Sequence, residues 1–167
     1  MRLRPYQKKD FEVISKWITQ ERAHALWCAN LIPYPLEKKG FDELLAEAEE
    51  RFGDSPFVAT TEEGKVVGFF CFSVNLSTNE GMLKFVVIDA SERNKGYGCE
   101  MLKLAVKYAF EIAKADAVQL NVFPENPRAK KCYEKVGFKE RNLTENAFTF
   151  KEESWGRCNM IITNTTC

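Results

Sequence analysis

Arg93-Asn94-Lys95-Gly96-Tyr97-Gly98-Cys99 sets two cationic side chains and two glycines at the start of an amphipathic run. A helix start leaves backbone N–H groups unpaired and carries partial positive charge, so it can hold a phosphate. Gly96 and Gly98 remove Cβ atoms that would keep a pyrophosphate away, and Arg93 and Lys95 add cationic donors beside it. The chemistry implied is the cradling of a diphosphate, although the same glycines would also serve a tight turn with no ligand. A dinucleotide fingerprint is excluded because Met101 stands where a third glycine is needed, and a nucleoside-triphosphate loop is excluded because no Gly-Lys-Ser/Thr ending follows.

A second set lies in Asn126-Pro127 through Gly137-Phe138. Asn126, Ala129, Lys130 and Tyr133 fall within about 40° of one helix face, and Asn126 to Tyr133 spans two turns, about 10 Å. An extended ligand arm fits that length. An amide can hydrogen-bond the amides of such an arm, and a phenol can give a proton to a departing thiolate, roles suited to acyl transfer from a thioester. The plainer alternative is that Asn126 caps the helix and Tyr133 packs. His24 is the only histidine and reads as structural, so no His-based triad is supported.

These residues need elements to hold them. The β-branched, apolar run from Lys84 to Ile88 predicts the end of a strand that starts at Gly81. After Gly98, the residues Met101, Leu102, Ala105, Tyr108, Ala109 and Ile112 recur at helical spacing. Ala117 to Phe123 predicts another strand, then a helix capped by Asn126 with Pro127 in its first turn and ended by Gly137. Upstream, Met1 to Pro5 reads as a short strand. Asp10 caps a predicted helix through Ile18, with Phe11, Ile14, Trp17 and Ile18 on one side. Glu21 to Cys28 and Phe41 to Phe52 read as further helices. The acidic residues of the latter, Asp42, Glu43, Glu47, Glu49 and Glu50, read as a solvated face. Phe57 to Thr61 and Val66 to Asn75 form a hairpin about Glu62-Glu63-Gly64-Lys65. Phe148 to Lys151 and Trp155 to Thr163 supply the last two strands.

At 167 residues with no Pro, Gly or Ser-rich linker, the chain is expected to form a single domain, residues 1–167. Lys plus Arg number 24 and Asp plus Glu number 24, so no overall field recruits nucleic acid or an anionic membrane. The six cysteines show no metal-ligand spacing and are expected to be reduced thiols, with no metal site. MRLRPYQKKDFEV lacks an apolar signal core, so a cytoplasmic location is expected. The sequons at Asn75, Asn142 and Asn164 are then inert.

The turn at Arg93 matches R/Q-x-x-G-x-G/A, and N-x-x-A-x-x-x-Y-E-K-V-G-F follows in chain order. Together they resemble the GNAT superfamily of acetyl-CoA-dependent N-acetyltransferases over about Val66 to Phe138. The opening LRPYQKKDFEVISKW is similar to the branch containing ribosomal-protein N-terminal acetyltransferases. The resemblance implies an α/β (α+β) fold: a mixed, mostly antiparallel sheet of about seven strands, splayed between the fourth and fifth and flanked by about four helices. It implies acetyl-CoA as donor, with no metal. Backbone groups of Val86 and Ile88 would bond the pantetheine and acetyl carbonyl, Arg93 to Cys99 the pyrophosphate, and Asn126 and Lys130 the cofactor arm. Tyr133 would be the general acid. Related enzymes often place a glutamate base in the fifth strand, where this chain has Asn121, or in the fourth, where it has Met82; Glu80, two residues earlier, becomes the candidate base. The acceptor is a primary amine: a protein N-terminus, a polyamine, an aminoglycoside or another small amine. A non-catalytic acyl-CoA sensor is the alternative, and the assembly is a monomer or homodimer.

Overall fold

The computed structural model describes residues 1–165; Thr166, which completes the last sequon, and Cys167 lie outside them. Seven strands form one sheet in the order β1-β2-β3-β4-β5-β7-β6. They are β1 (Arg2–Pro5), β2 (Ser55–Thr60), β3 (Val66–Asn75), β4 (Glu80–Ile88), β5 (Ala117–Val122), β6 (Lys139–Phe150) and β7 (Glu153–Thr163). Every neighbouring pair is antiparallel except β4 and β5. Among the described residues there are five α-helices: α1 (Phe11–Ile14), α2 (Glu21–Cys28), α3 (Lys38–Phe52), α4 (Tyr97–Glu111) and α5 (Pro127–Val136). No helix among them is long and apolar enough to cross a membrane.

Each sheet face carries its own core. On one side Met101, Leu102 and Ala105 of α4 and Tyr133 of α5 pack against Leu83, Val118, Leu120 and Met160. On the other, Phe11, Ile14 and Phe41 cover Val58, Phe69, Cys71 and Val87. Full burial of a large apolar side chain is worth roughly 1.5–3 kcal/mol, so the two layers hold the sheet from both faces.

Two elements differ from the sequence expectation. The helix expected from Asp10 to Ile18 is a 3-10 turn, Lys8–Asp10, followed by the single turn α1. Gln7 is the N-cap of the 3-10 turn and Asp10 that of α1, but the Asp10 side chain makes no capping bond into α1: its carboxylate accepts two 2.8 Å hydrogen bonds from Arg4 and one from the Gln7 amide. Trp17 and Ile18 are nonetheless buried as expected, in the same core as Phe11, Ile14 and Phe41. At the other end, β6 starts at Lys139, far ahead of Phe148, and runs beside β7 as a long hairpin. All of β6 before Phe148 is exposed, so it shows no alternation of apolar and polar residues.

Candidate active site

The parallel pairing of β4 with β5 covers only Glu80↔Ala117 to Leu83↔Leu120. Beyond Leu83 the two strands separate, and β4 keeps its β3 partner on one side only. The Asp89 amide donates to the Val67 carbonyl at 2.8 Å, so residues 87 and 89 turn their backbone groups toward β3. Alternation then turns those of Val86 and Ile88 toward the opened side. An unpaired strand edge facing a gap is where an extended amide-bearing chain can add hydrogen bonds.

A bulge shapes that edge. The β3–β4 register slips between Phe69 and Cys71, and Phe85 takes φ +53°. The indole N–H of Trp27, on α2, donates to the Phe85 carbonyl at 2.9 Å and holds the bulge in place. Lys84 is anchored just before it, donating to both oxygens of buried Asp54 at 3.0 and 3.2 Å. The extra residue puts Lys84 and Phe85 on the α3 side in succession and returns Val86 and Ile88 to the α4 side.

β4 leads into a 3-10 turn, Ala90–Glu92, capped by the Asp89 carboxylate, and then into the start of α4. Gly96 is the N-cap with φ +82°, and a Cβ there would meet nothing within 4 Å. Gly98 differs. A Cβ there would stand 3.3 Å from the Cys132 Sγ and 3.6 Å from Ile88, so Gly98 serves close packing of α4 on α5, and does not open space for a ligand. Lys95, expected to be a free cationic donor, is bonded to Glu92 at 2.6 Å, and Lys65 binds the same carboxylate. Among the described residues Arg93 makes no ion pair, and neither does Arg128 in the first turn of α5. Burial, and then the charge of Arg128, holds the Arg93 guanidinium below its usual range. Two cations beside two helix starts thus lie close enough to repel, with the Asp89 carboxylate a partial counter-charge to Arg93. Arg128 was missed by sequence reasoning; its position in the first turn of α5 was the available signal.

Along α5, the Asn126 side-chain oxygen accepts from the Ala129 amide at 3.3 Å, so Asn126 does cap the helix, with its NH₂ donors uncommitted. Lys130 points elsewhere, to Glu140 at 2.9 Å on β6. Tyr133 is 6% exposed, edge-on to Phe138 with ring centroids 6.1 Å apart, and its hydroxyl has no hydrogen-bond partner among the described residues. Burial, and then the charge of Cys132, holds its phenol above the ordinary range, so it keeps its proton at neutral pH.

Glu80 stands in the paired part of β4, three residues before the fork. Gln119 donates to one of its oxygens at 2.8 Å and Arg141 to the other at 3.0 Å. Arg141 also reaches Gln119 and Asn159, and Asn159 donates to the Asn121 side-chain oxygen at 2.9 Å. Glu80 is therefore the anionic centre of a closed polar network and is not poised at the gap. Glu125, in the loop after β5, has one carboxylate oxygen fully buried without a hydrogen-bond partner among the described residues. Sequence reasoning gave it no role. His24 is structural, its Nε2 donating to the Ile32 carbonyl at 2.7 Å.

Comparison with known proteins bears on the family and the fold. The profile of the acetyltransferase (GNAT) family matches residues 11–138. An aminoglycoside N(6')-acetyltransferase type 1 of Klebsiella pneumoniae is 22% identical over 151 residues, covering 83% of this chain and 74% of the relative. A spermidine N(1)-acetyltransferase of Vibrio cholerae is 28% identical over 126 residues, covering 71% and 72%. Among solved structures, spermidine N-acetyltransferase from Vibrio cholerae in complex with CoA and spermine superposes with a TM-score of 0.82 at 20% identity, covering 97% of this chain and 94% of that one. At that identity the likeness is one of fold.

Proposed function

Since the chain belongs to the acetyltransferase (GNAT) family, and is an N-acetyltransferase with acetyl-CoA as donor, we propose that it acetylates a primary amine of a small polycation, of the polyamine or aminoglycoside class. The observation that carries the placement of the chemistry is the fork: β4 and β5 part after Leu83, with the Val86 and Ile88 edge facing the gap. Tyr133 lies in the core against which the Val86 and Ile88 side chains pack.

In this reading the N–H and C=O groups of Val86 and Ile88 hold the pantetheine and the acetyl carbonyl. Gly96 gives the diphosphate open backbone at the start of α4, where Arg93 and Arg128 meet its charge, and Asn126 offers its NH₂ to the arm. The acceptor nitrogen attacks the acetyl carbon, the carbon–sulfur bond breaks, and Tyr133 gives its proton to the departing sulfur. The proton leaving the acceptor nitrogen passes to water, because no carboxylate stands in the strand positions that would take it. Glu125 sets a half-buried carboxylate beside the end of β5, whose charge favours a cationic acceptor. The half-buried rings of Phe123 and Phe148 add a wall that an ammonium favours.

The test is CoA release from acetyl-CoA across a panel of spermidine, spermine, an aminoglycoside and a peptide with a free N-terminus. Turnover with a small polycation at a kcat/KM at least about tenfold above the peptide is expected, a difference of about 1.4 kcal/mol. Preference for the peptide, or no release above hydrolysis with any amine, would overturn the acceptor class.

A further inference from the structure

Cys99 stands in the first turn of α4 and Cys132 on α5, and their Sγ atoms lie 3.2 Å apart. The Cys132 sulfur sits in the notch that Gly98 leaves, which fixes it toward α4, and the Cys99 thiol also points at the Cys132 carbonyl at 3.9 Å. Both residues are half-buried and reachable by a small oxidant, whereas Cys28, Cys71 and Cys158 are buried. A disulfide is about 2.05 Å long, so the sulfurs need to close by only about 1 Å. We propose that Cys99 and Cys132 form a reversible disulfide when oxidised by a peroxide, stapling the first turn of α4 to α5.

The electrons balance with the peroxide alone. The Cys99 sulfur, as thiolate, attacks one peroxide oxygen; the O–O bond breaks and the other oxygen leaves as hydroxide, taking up a proton to become water. Cys99 is then a sulfenic acid, oxidised by two electrons. The Cys132 sulfur attacks the Cys99 sulfur, the S–O bond breaks, and that oxygen leaves as a second water with the Cys132 proton. Two thiols and one peroxide give one disulfide and two waters. Burial, and then the neighbouring Cys99, pushes the Cys132 thiol up to about 12, which slows its attack, so the resolving step relies on the 3.2 Å approach of the two sulfurs.

The consequence for ligand binding rests on the proposed placement of CoA. The staple joins the two elements assigned to the diphosphate and to the arm, and a shift of about 1 Å between positioning groups is enough to cost affinity or rate substantially. The oxidised form is therefore expected to bind CoA more weakly, by about tenfold.

The experiment treats the reduced full-length protein with hydrogen peroxide, digests it with trypsin without reductant and weighs the products. Peptides 96–103 and 132–135 should appear linked, two hydrogens lighter than their sum, and should separate on adding dithiothreitol. Cys99→Ser and Cys132→Ser should each abolish the link and leave the remaining thiol to over-oxidise. Wild-type protein in which both cysteines stay free, or go only to sulfinic and sulfonic acids, overturns the disulfide. Calorimetry with CoA separates the second half: equal affinity of the reduced and linked forms overturns the regulatory consequence, while a reduced form that binds no CoA overturns the CoA placement and leaves the disulfide standing.

Discussion

Replacing Tyr133 by Phe separates a proton donor from a packing residue, because the structure gives the ring and the hydroxyl different surroundings. The ring is 6% exposed and lies edge-on to Phe138, with centroids 6.1 Å and planes 65° apart, all of which phenylalanine retains. The hydroxyl makes no hydrogen bond among the described residues, so deleting it leaves no partner unsatisfied. The stability change should stay within about 0.5 kcal/mol, a midpoint shift of no more than about 2 °C for a chain of this size. Loss of a general acid costs up to roughly 10²-fold in turnover, about 2.7 kcal/mol of barrier. The phenol is held above its ordinary range, so below about pH 9 the variant's pH profile should keep its shape and lose only height. Steady-state CoA release and thermal melting on the same preparation measure both quantities. A kcat within about twofold of wild type would refute the acid role, and a midpoint drop beyond about 8 °C would show the hydroxyl to be structural.

Other perturbations test the remaining assignments. Arg128→Ala removes one of the two cations that face each other at the turn and should weaken CoA binding by roughly tenfold, less at high salt, with kcat nearly unchanged; unchanged affinity by calorimetry would remove Arg128 from the anion site. Glu80→Gln should lower kcat by less than about tenfold, since both oxygens are already engaged, and kcat/KM should climb about tenfold per pH unit below the acceptor's own pKa. A thousandfold loss with the rising limb abolished would instead make Glu80 the base. Burial opposes ionisation of Asp10, but the Arg4 and Gln7 hydrogen bonds and the Arg4 and Lys9 charges outweigh it and lower its pKa. Its contribution to stability is therefore complete above the ordinary carboxylate range near 4 and is lost as pH falls through the lower folded value, a loss that Asp10→Asn should abolish in acid melts.

The strand-turn-helix units were legible because their signals are local: a β-branched run, a 3.6-residue apolar period, and the caps Asn126 and Gly137. What escaped depends on partners distant in sequence. The bulge at Phe85 lies inside the uniformly apolar Phe85-Val86-Val87-Ile88, where slipping one residue leaves the pattern unchanged, and Trp27 is what holds it. β6 is exposed before Phe148, so its pairing with β7, and not a buried face, defines it as a strand. In the site, Glu80, Lys95 and Lys130 look equally available in sequence. Arg141, Glu92 and Glu140 respectively claim them, and only the fold shows it. Arg128 and Glu125 flank recognisable positions but gain interest only from where the fold sets their charges.

The two glycines of the turn make the same point at atomic scale. Sequence reasoning treats Gly96 and Gly98 as one device for admitting a diphosphate. The structure separates them: Gly96 combines positive φ with open space, whereas Gly98 faces the Cys132 sulfur at 3.3 Å. Gly98→Val therefore forces α4 away from α5, and a loss of CoA binding in that variant would report disturbed packing as much as a blocked site. Gly96→Ala places its methyl where no protein atom stands, at a backbone cost of about 1–2 kcal/mol for the left-handed conformation. Weakened CoA binding by folded Gly96→Ala, beyond what that strain explains, would tie the open side of the turn to the ligand; unchanged affinity would leave the turn a purely structural device.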